Sequence, residues 1–143
     1  MNHHILLIFI SFVFIFLNFG CEEDNKEQAK CDQYTIISES EYITASQDNL
    51  SITGMEINGN CLKISFSASG CDGSSWIVKL IDSGDTFYTD PPQRDLILSL
   101  ENKEECLAVI GKEISFDIES LQVSGGRVIL NITNIGDEIL YEY

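Results

Sequence analysis

Apolar and polar side chains alternate in short bursts along most of this chain. The clearest case is Leu62-Lys63-Ile64-Ser65-Phe66-Ser67-Ala68, where every second residue is apolar. A period of two is that of a strand with one face buried and the other wet, as in antiparallel sheets. The same pattern, or nearly so, recurs at 35–37, 51–57, 76–81, 96–100, 106–110, 114–118, 128–133 and 139–143. Between these runs lie turn-forming segments such as Asn58-Gly59-Asn60, Gly70-Cys71-Asp72-Gly73, Asp82-Ser83-Gly84-Asp85, Pro91-Pro92 and Ser124-Gly125-Gly126. In them Gly and Asn accept positive φ and Pro presets φ. Past the N-terminus no segment keeps a helical apolar period for three turns, and residues 40–50 suffice for one helical turn at most. The pattern predicts an all-β fold: an antiparallel β-sandwich, Ig-like or Greek-key, of about seven to nine strands.

The N-terminus follows other rules. Residues 5–17 read ILLIFISFVFIFL, the length of a signal-peptide core and short of the roughly 20 residues a spanning helix needs. The following Leu17-Asn18-Phe19-Gly20-Cys21 resembles a lipobox, in which a small residue precedes a cysteine that is lipid-modified and becomes the mature N-terminus; Asn18 departs from the aliphatic residue usual at its position. Cys21-Glu22-Glu23-Asp24 is similar to the acidic tract that follows the anchor in surface-exported lipoproteins of the Bacteroidota type. The resemblance implies a lipid anchor at Cys21, membrane attachment through it, and an outer-membrane lipoprotein of the bacterial cell envelope, facing the cell surface or the periplasm. Three acyl chains, each CH₂ buried at about 0.8 kcal/mol, would make the anchoring effectively permanent. The chain then divides into a signal peptide (1–20), a flexible acidic tether (21–30) without large apolar side chains, and a β-sandwich domain (31–143). The whole layout resembles small, uncharacterised β-sandwich lipoproteins of such bacteria.

Charge and residue usage narrow the function. The 143 residues carry 8 Lys and Arg against 23 Asp and Glu, a net charge of −15, and no charged side chain lies before Cys21. That balance argues against nucleic acid as a partner and against attraction to anionic lipid. Both histidines, His3 and His4, precede the anchor, so the domain lacks Ser-His-Asp and Cys-His machinery and imidazole metal sites. Cys31, Cys61, Cys71 and Cys106 remain, without zinc-ligand spacing, and in an oxidising compartment they are expected to form two disulfides. Four cysteines allow three pairings. Strands running up and down in order would bring the Cys71 loop and Cys106 to one end and leave Cys61 at the other, within reach of Cys31. This favours Cys71–Cys106 and Cys31–Cys61.

Two segments are candidates for recognition. Phe87-Tyr88-Thr89-Asp90-Pro91-Pro92-Gln93-Arg94 joins two aromatics, a double proline and one of the few basic residues. It reads either as a rigid binding loop or as a cover on the sandwich edge. Ser69-Gly70-Cys71-Asp72-Gly73-Ser74-Ser75-Trp76 is a glycine-rich loop that reads as a binding loop or as a tight turn, and its single Trp shares the parity of Val78 and Leu80, which favours a core position. Asp82, Asp85 and Asp90 offer oxygen ligands for calcium, yet without the full loop of a calcium site a solvated turn is the expectation. No catalytic residue, cofactor or metal is expected. The composite expectation is a non-catalytic, envelope-anchored module that binds a protein or glycan partner or serves a structural role, with Trp76, Phe87, Tyr88, Pro91, Pro92 and Arg94 as candidate contacts. The alternative is a disulfide-stapled inhibitor of a secreted hydrolase or protease, presenting residues 91–94 or 70–75.

Overall fold

The computed structural model describes residues 30–46 and 50–143; the signal-peptide and Cys21 expectations lie outside the described residues. Nine strands form two sheets: β1 (Gln33–Tyr34), β2 (Ile36–Ile37), β3 (Leu50–Asn58), β4 (Cys61–Gly70), β5 (Ile77–Asp82), β6 (Gln93–Glu101), β7 (Ala108–Asp117), β8 (Arg127–Ile132) and β9 (Asp137–Glu142). One turn of helix, α1 (Glu39–Ile43), follows β2, with the Ser38 hydroxyl accepting from the Glu41 N–H as its N-cap. The sheets have the orders β1-β7-β4-β3 and β2-β5-β6-β8-β9, face each other, and do not close into a barrel.

The predicted alternation builds the core. Leu62, Ile64, Phe66 and Ala68 of β4 are buried and meet Val78, Leu80, Leu96, Leu98, Leu100, Val128, Leu130, Ile132 and Tyr141 from the other sheet. The pairings β3·β4, β4·β7, β5·β6 and β8·β9 are antiparallel as expected, but β1·β7, β2·β5 and β6·β8 are parallel. Parallel pairing arises because the chain changes sheets: β6 and β8 are neighbours separated in sequence by β7, which lies in the opposite layer. The stretch from Gln33 to Ile37 likewise gives β1 to one sheet and β2 to the other.

Two sequence expectations change. The runs 106–110 and 114–118 are one strand, because Gly111-Lys112-Glu113 continues an unbroken ladder with β4 and Gly111 makes no turn. β6 is buried on both faces from Leu96 to Leu100, the polar Ser99 on its outer side included, where the segment after α1 and Asn134 lie against it. Ser46 O accepts from the Leu100 N–H and the Ser99 hydroxyl, and the Asn134 side chain bonds both backbone groups of Leu98.

Strand direction still alternates along the chain from β4 to β7, so the loops that leave β4 and β6 cross between sheets at the same end. The disulfides are Cys71–Cys106, joining those two crossing loops, and Cys31–Cys61, at the opposite end, fastening the start of the domain to the β3–β4 turn. At that second end the buried Tyr141 hydroxyl donates to Asn60 Oδ1 (2.7 Å) and accepts from Gln122 Nε2 (2.7 Å), tying the two sheets. Burial raises the Tyr141 pKa above its ordinary value.

Candidate functional site

β5 and β6 are joined by residues 83–92, and the base of this loop is buried. Asp82, wholly inaccessible, and Arg94, 8% exposed, end the facing strands with side chains on the inner face. Arg94 Nε donates to Asp82 Oδ2 (2.9 Å) and Nη2 to Oδ1 (2.6 Å), a two-pronged pair that raises the Arg94 pKa. Asp82 Oδ1 also accepts from the Gly84 N–H (2.8 Å), where φ of +90° calls for glycine, and Arg94 Nη1 reaches Thr86 Oγ1 (3.0 Å). Arg94, expected as a candidate contact, is instead an internal clamp: it is buried, and three of its five N–H donors are engaged by Asp82 and Thr86. Asp82 is equally removed from any calcium site, since Arg94 and Gly84 engage its oxygens. Among the described residues no cluster of three or more His, Cys, Asp or Glu side chains converges.

Above this clamp the loop is fixed at several points. Phe87 and Gln93 exchange two backbone hydrogen bonds of 2.9 Å, the Thr89 hydroxyl donates to Pro91 O (2.6 Å), and the Ile129 N–H donates to Pro92 O (2.8 Å). Asp90 pairs with Arg127 across to β8 at 3.0 Å, and the Asp90–Pro91 peptide is cis. The double proline is half-buried, while Tyr88 is 91% and Phe87 48% exposed. The loop therefore carries two aromatic side chains on a braced frame rather than folding them over the sheet edge.

Trp76 does not join them. It stands just before the far end of β5, six residues and about 20 Å from Asp82 at about 3.3 Å per residue, where it packs on Phe66 (ring centroids 6.1 Å) under the Lys112 ammonium (5.3 Å from its ring centre). It is half-buried, so the structure favours its packing role. Beside it, the loop 71–75 turns its backbone donors inward on one carboxylate. Glu104 Oε2 accepts from the N–H groups of Cys71 (2.6 Å), Asp72 (3.2 Å) and Gly73 (3.0 Å), and Oε1 from the Ser75 hydroxyl (2.9 Å). Desolvation raises the Glu104 pKa, but the bonds from Gly73, Cys71 and Ser75 outweigh it and bring it down to about 2. Nothing in the apolar pattern singles out Glu104 for this role; its position two residues before Cys106, the partner of Cys71, is the available signal. A surface recess of about 190 Å³ between α1 and the outer face of β5 and β6 is lined by Glu41, Lys79, Ile81 and Ser99 among others. Small-molecule pockets occupy roughly 300–1,000 Å³.

Fold and loop together define a two-sheet β-sandwich, disulfide-braced at both ends, that displays an aromatic loop from the β5–β6 connection. No protein family and no curated protein matches the sequence. Solved structures do match in fold. A protein of unknown function DUF1344 from Bacteroides vulgatus has a TM-score of 0.53 at 14% identity, over 78% of this chain and 56% of its own. A NigD-like immunity protein from Bacteroides caccae has 0.55 at 11% identity, over 76% and 59%. A putative toxin-related protein from Parabacteroides distasonis has 0.51 at 16% identity, over 78% and 59%. The chain thus spans a little under three fifths of these proteins, and the likeness is one of fold.

Proposed function

We propose that this protein is a non-catalytic, lipid-anchored module of the bacterial cell envelope that recognises a protein partner through the loop between β5 and β6. The observation that carries the reading is the loop's construction: exposed Tyr88 and Phe87 stand on a frame held from below by the buried Asp82–Arg94 pair. Exposed aromatics pre-ordered in this way lose little entropy on binding and are typical anchors of interfaces. Disulfides at both ends suit an oxidising compartment, and the lipobox-like Leu17-Asn18-Phe19-Gly20-Cys21 supplies the anchor. The names of two fold neighbours, a NigD-like immunity protein and a toxin-related protein, are compatible with recognition of another macromolecule. The inhibitor alternative loses its proposed arginine to the interior, and loop 70–75 is turned onto Glu104, so no observation favours it.

A photo-crosslinking residue placed at Tyr88 in cells is the direct test. The expected result is a discrete protein adduct at Tyr88 and none at Ile43, a position on α1 outside the loop that is 72% exposed. Equal yields at both positions would refute the loop's role. Labelling with a palmitate analogue checks the anchor: Cys21→Ser should abolish incorporation, and retained label would remove that part of the reading.

A further inference from the structure

We propose that the outer edge of β7, from Val109 to Glu113, is a strand-addition site for an extended basic segment of a partner. β7 is the outermost long strand of its sheet, and β1 pairs only with Phe116 and Asp117. The direction of its backbone groups follows from that pairing. The Thr35 N–H donates to Asp117 O, and the Ser115 N–H donates to Asp32 Oδ2 (2.8 Å), so residues 117 and 115 face outward. The β4·β7 register is unbroken, and alternation therefore turns the N–H and C=O of Glu113, Gly111 and Val109 outward as well. Among the described residues none of these groups has a partner beyond the strand. They form an open row about 13 Å long at 3.3 Å per residue.

Every other sheet edge is blunted. β3 carries a bulge between Ile52 and Gly54. β9 exposes Asp137, Glu138 and Glu142, while β2 and α1 border β5, with Glu41 of α1 paired to Lys79. Bulges, charges and covering elements are how sheet edges avoid unwanted pairing. β7 instead presents Ala108, Val109 and Gly111, with Val109 75% exposed and the preceding Leu107 92% exposed. Gly111 has nothing within 4 Å of where a Cβ would stand, so a neighbouring backbone can approach closely.

Charge selects the occupant. Asp32 and Glu113 lie along one half of the row, and Asp72 and Glu105 flank the Cys71–Cys106 bridge at its other end. Lys112, the basic residue of this stretch, turns inward, donates to Gly73 O and covers Trp76. A second copy would bring another net charge of −15 and its own Glu113 to the pair. The tether from Glu22 to Asp24 is acidic too. An extended segment with Lys or Arg on either side of a β-branched centre meets both the ladder and the field.

The test uses the full chain, ¹⁵N-labelled in nonionic detergent, and the synthetic peptide Arg-Lys-Thr-Val-Thr-Val-Thr-Lys-Arg. Binding is expected to shift the amides of Val109, Gly111 and Glu113 and to weaken with salt. N-methylation of alternate peptide residues in one frame should cost about tenfold or more in affinity, the loss of two or more hydrogen bonds, and in the other frame little. Gly111→Pro should cost as much; should that variant misfold, the methylated peptides on the natural chain still decide. Equal binding by both methylated frames, or by a peptide with Glu in place of its basic residues, would overturn the proposal. So would concentration-dependent self-association through these amides, or shifts showing residues 21–30 already seated there. Tyr88→Ala should leave this binding unchanged, so that failure here and failure of the loop reading are separable.

Discussion

Replacing Asp82 with alanine tests the clamp beneath the loop. In the folded protein its carboxylate receives two bonds from Arg94 and one from the Gly84 backbone, all between 2.6 and 2.9 Å, and no part of it reaches water. Removing it strands a guanidinium that is 8% exposed and retains one side-chain partner, Thr86. Breaking a buried ion pair from one side costs about 3–5 kcal/mol. Near 4 kcal/mol is expected here, or roughly 15 °C in Tm at about 4 °C per kcal/mol for a domain of this size. Arg94→Met should cost less, because a stranded carboxylate can be neutralised by a proton whereas arginine cannot shed its own. The double variant Asp82→Leu/Arg94→Met removes both charges from the interior. It is expected to recover at least about 2 kcal/mol relative to Asp82→Ala alone, as apolar replacements of buried pairs are often neutral or better. Urea denaturation of the four proteins with disulfides intact gives the comparison directly. An Asp82→Ala cost below about 1 kcal/mol, or a double variant no more stable than that single, would show that the pair is not the buried clamp described.

Other outcomes follow from the two ends of the sandwich. Glu104 is held at a pKa of about 2 against an ordinary 4.5, so its contribution is complete above pH 4.5 and is lost as the pH falls toward 2. The urea midpoint of the natural protein should therefore fall more steeply over that window than that of Glu104→Gln. The disulfides close segments of 30 and 35 residues, which the chain-entropy relation converts to about 4 kcal/mol each. Because the bridges lie at opposite ends, the losses from paired Cys→Ser substitutions should add to within about 0.5 kcal/mol in denaturation experiments. Gly70→Ala places a methyl 2.6 Å from Glu104 Oε2 and 2.8 Å from Trp76 Cζ2, and should destabilise by about 1–3 kcal/mol, visible as a lower Tm. Tyr88→Ala, at a 91% exposed site, should change stability by less than about 0.5 kcal/mol in the same assay.

What the sequence showed of this fold is what a period of two can show. The apolar positions of β4 were legible because polar residues separate them at every second place, and the cysteine pairing followed from alternating strand direction alone. That direction survives whether consecutive strands are neighbours or cross between layers. The sheet orders were not legible, since the parallel pairing of β6 with β8 depends on β7 leaving the layer, and no local residue records that choice. The single strand across Gly111 was missed because Gly111-Lys112-Glu113 interrupts the apolar alternation, while the pairing of Gly111 with Ser67 supplies the continuity.

The clamp was partly legible, and it shows why Arg94 was misread. Arg94 shares the parity of Leu96, Leu98 and Leu100, and Asp82 that of Val78 and Leu80, so both charges fall on core-facing positions of adjoining strands. Opposite charges at inward positions two residues apart in register announce each other, because neither could be buried alone at tolerable cost. Reading Arg94 as a surface contact followed its neighbours Pro91 and Pro92 instead of its parity. The same rule separates Lys112, which shares the inner parity of Ile110 and Ile114, from the outward backbone row beside it. Inward charges near strand ends mark where a sandwich core stops, and at β5–β6 that stop is what lets two aromatic side chains project beyond the sheet.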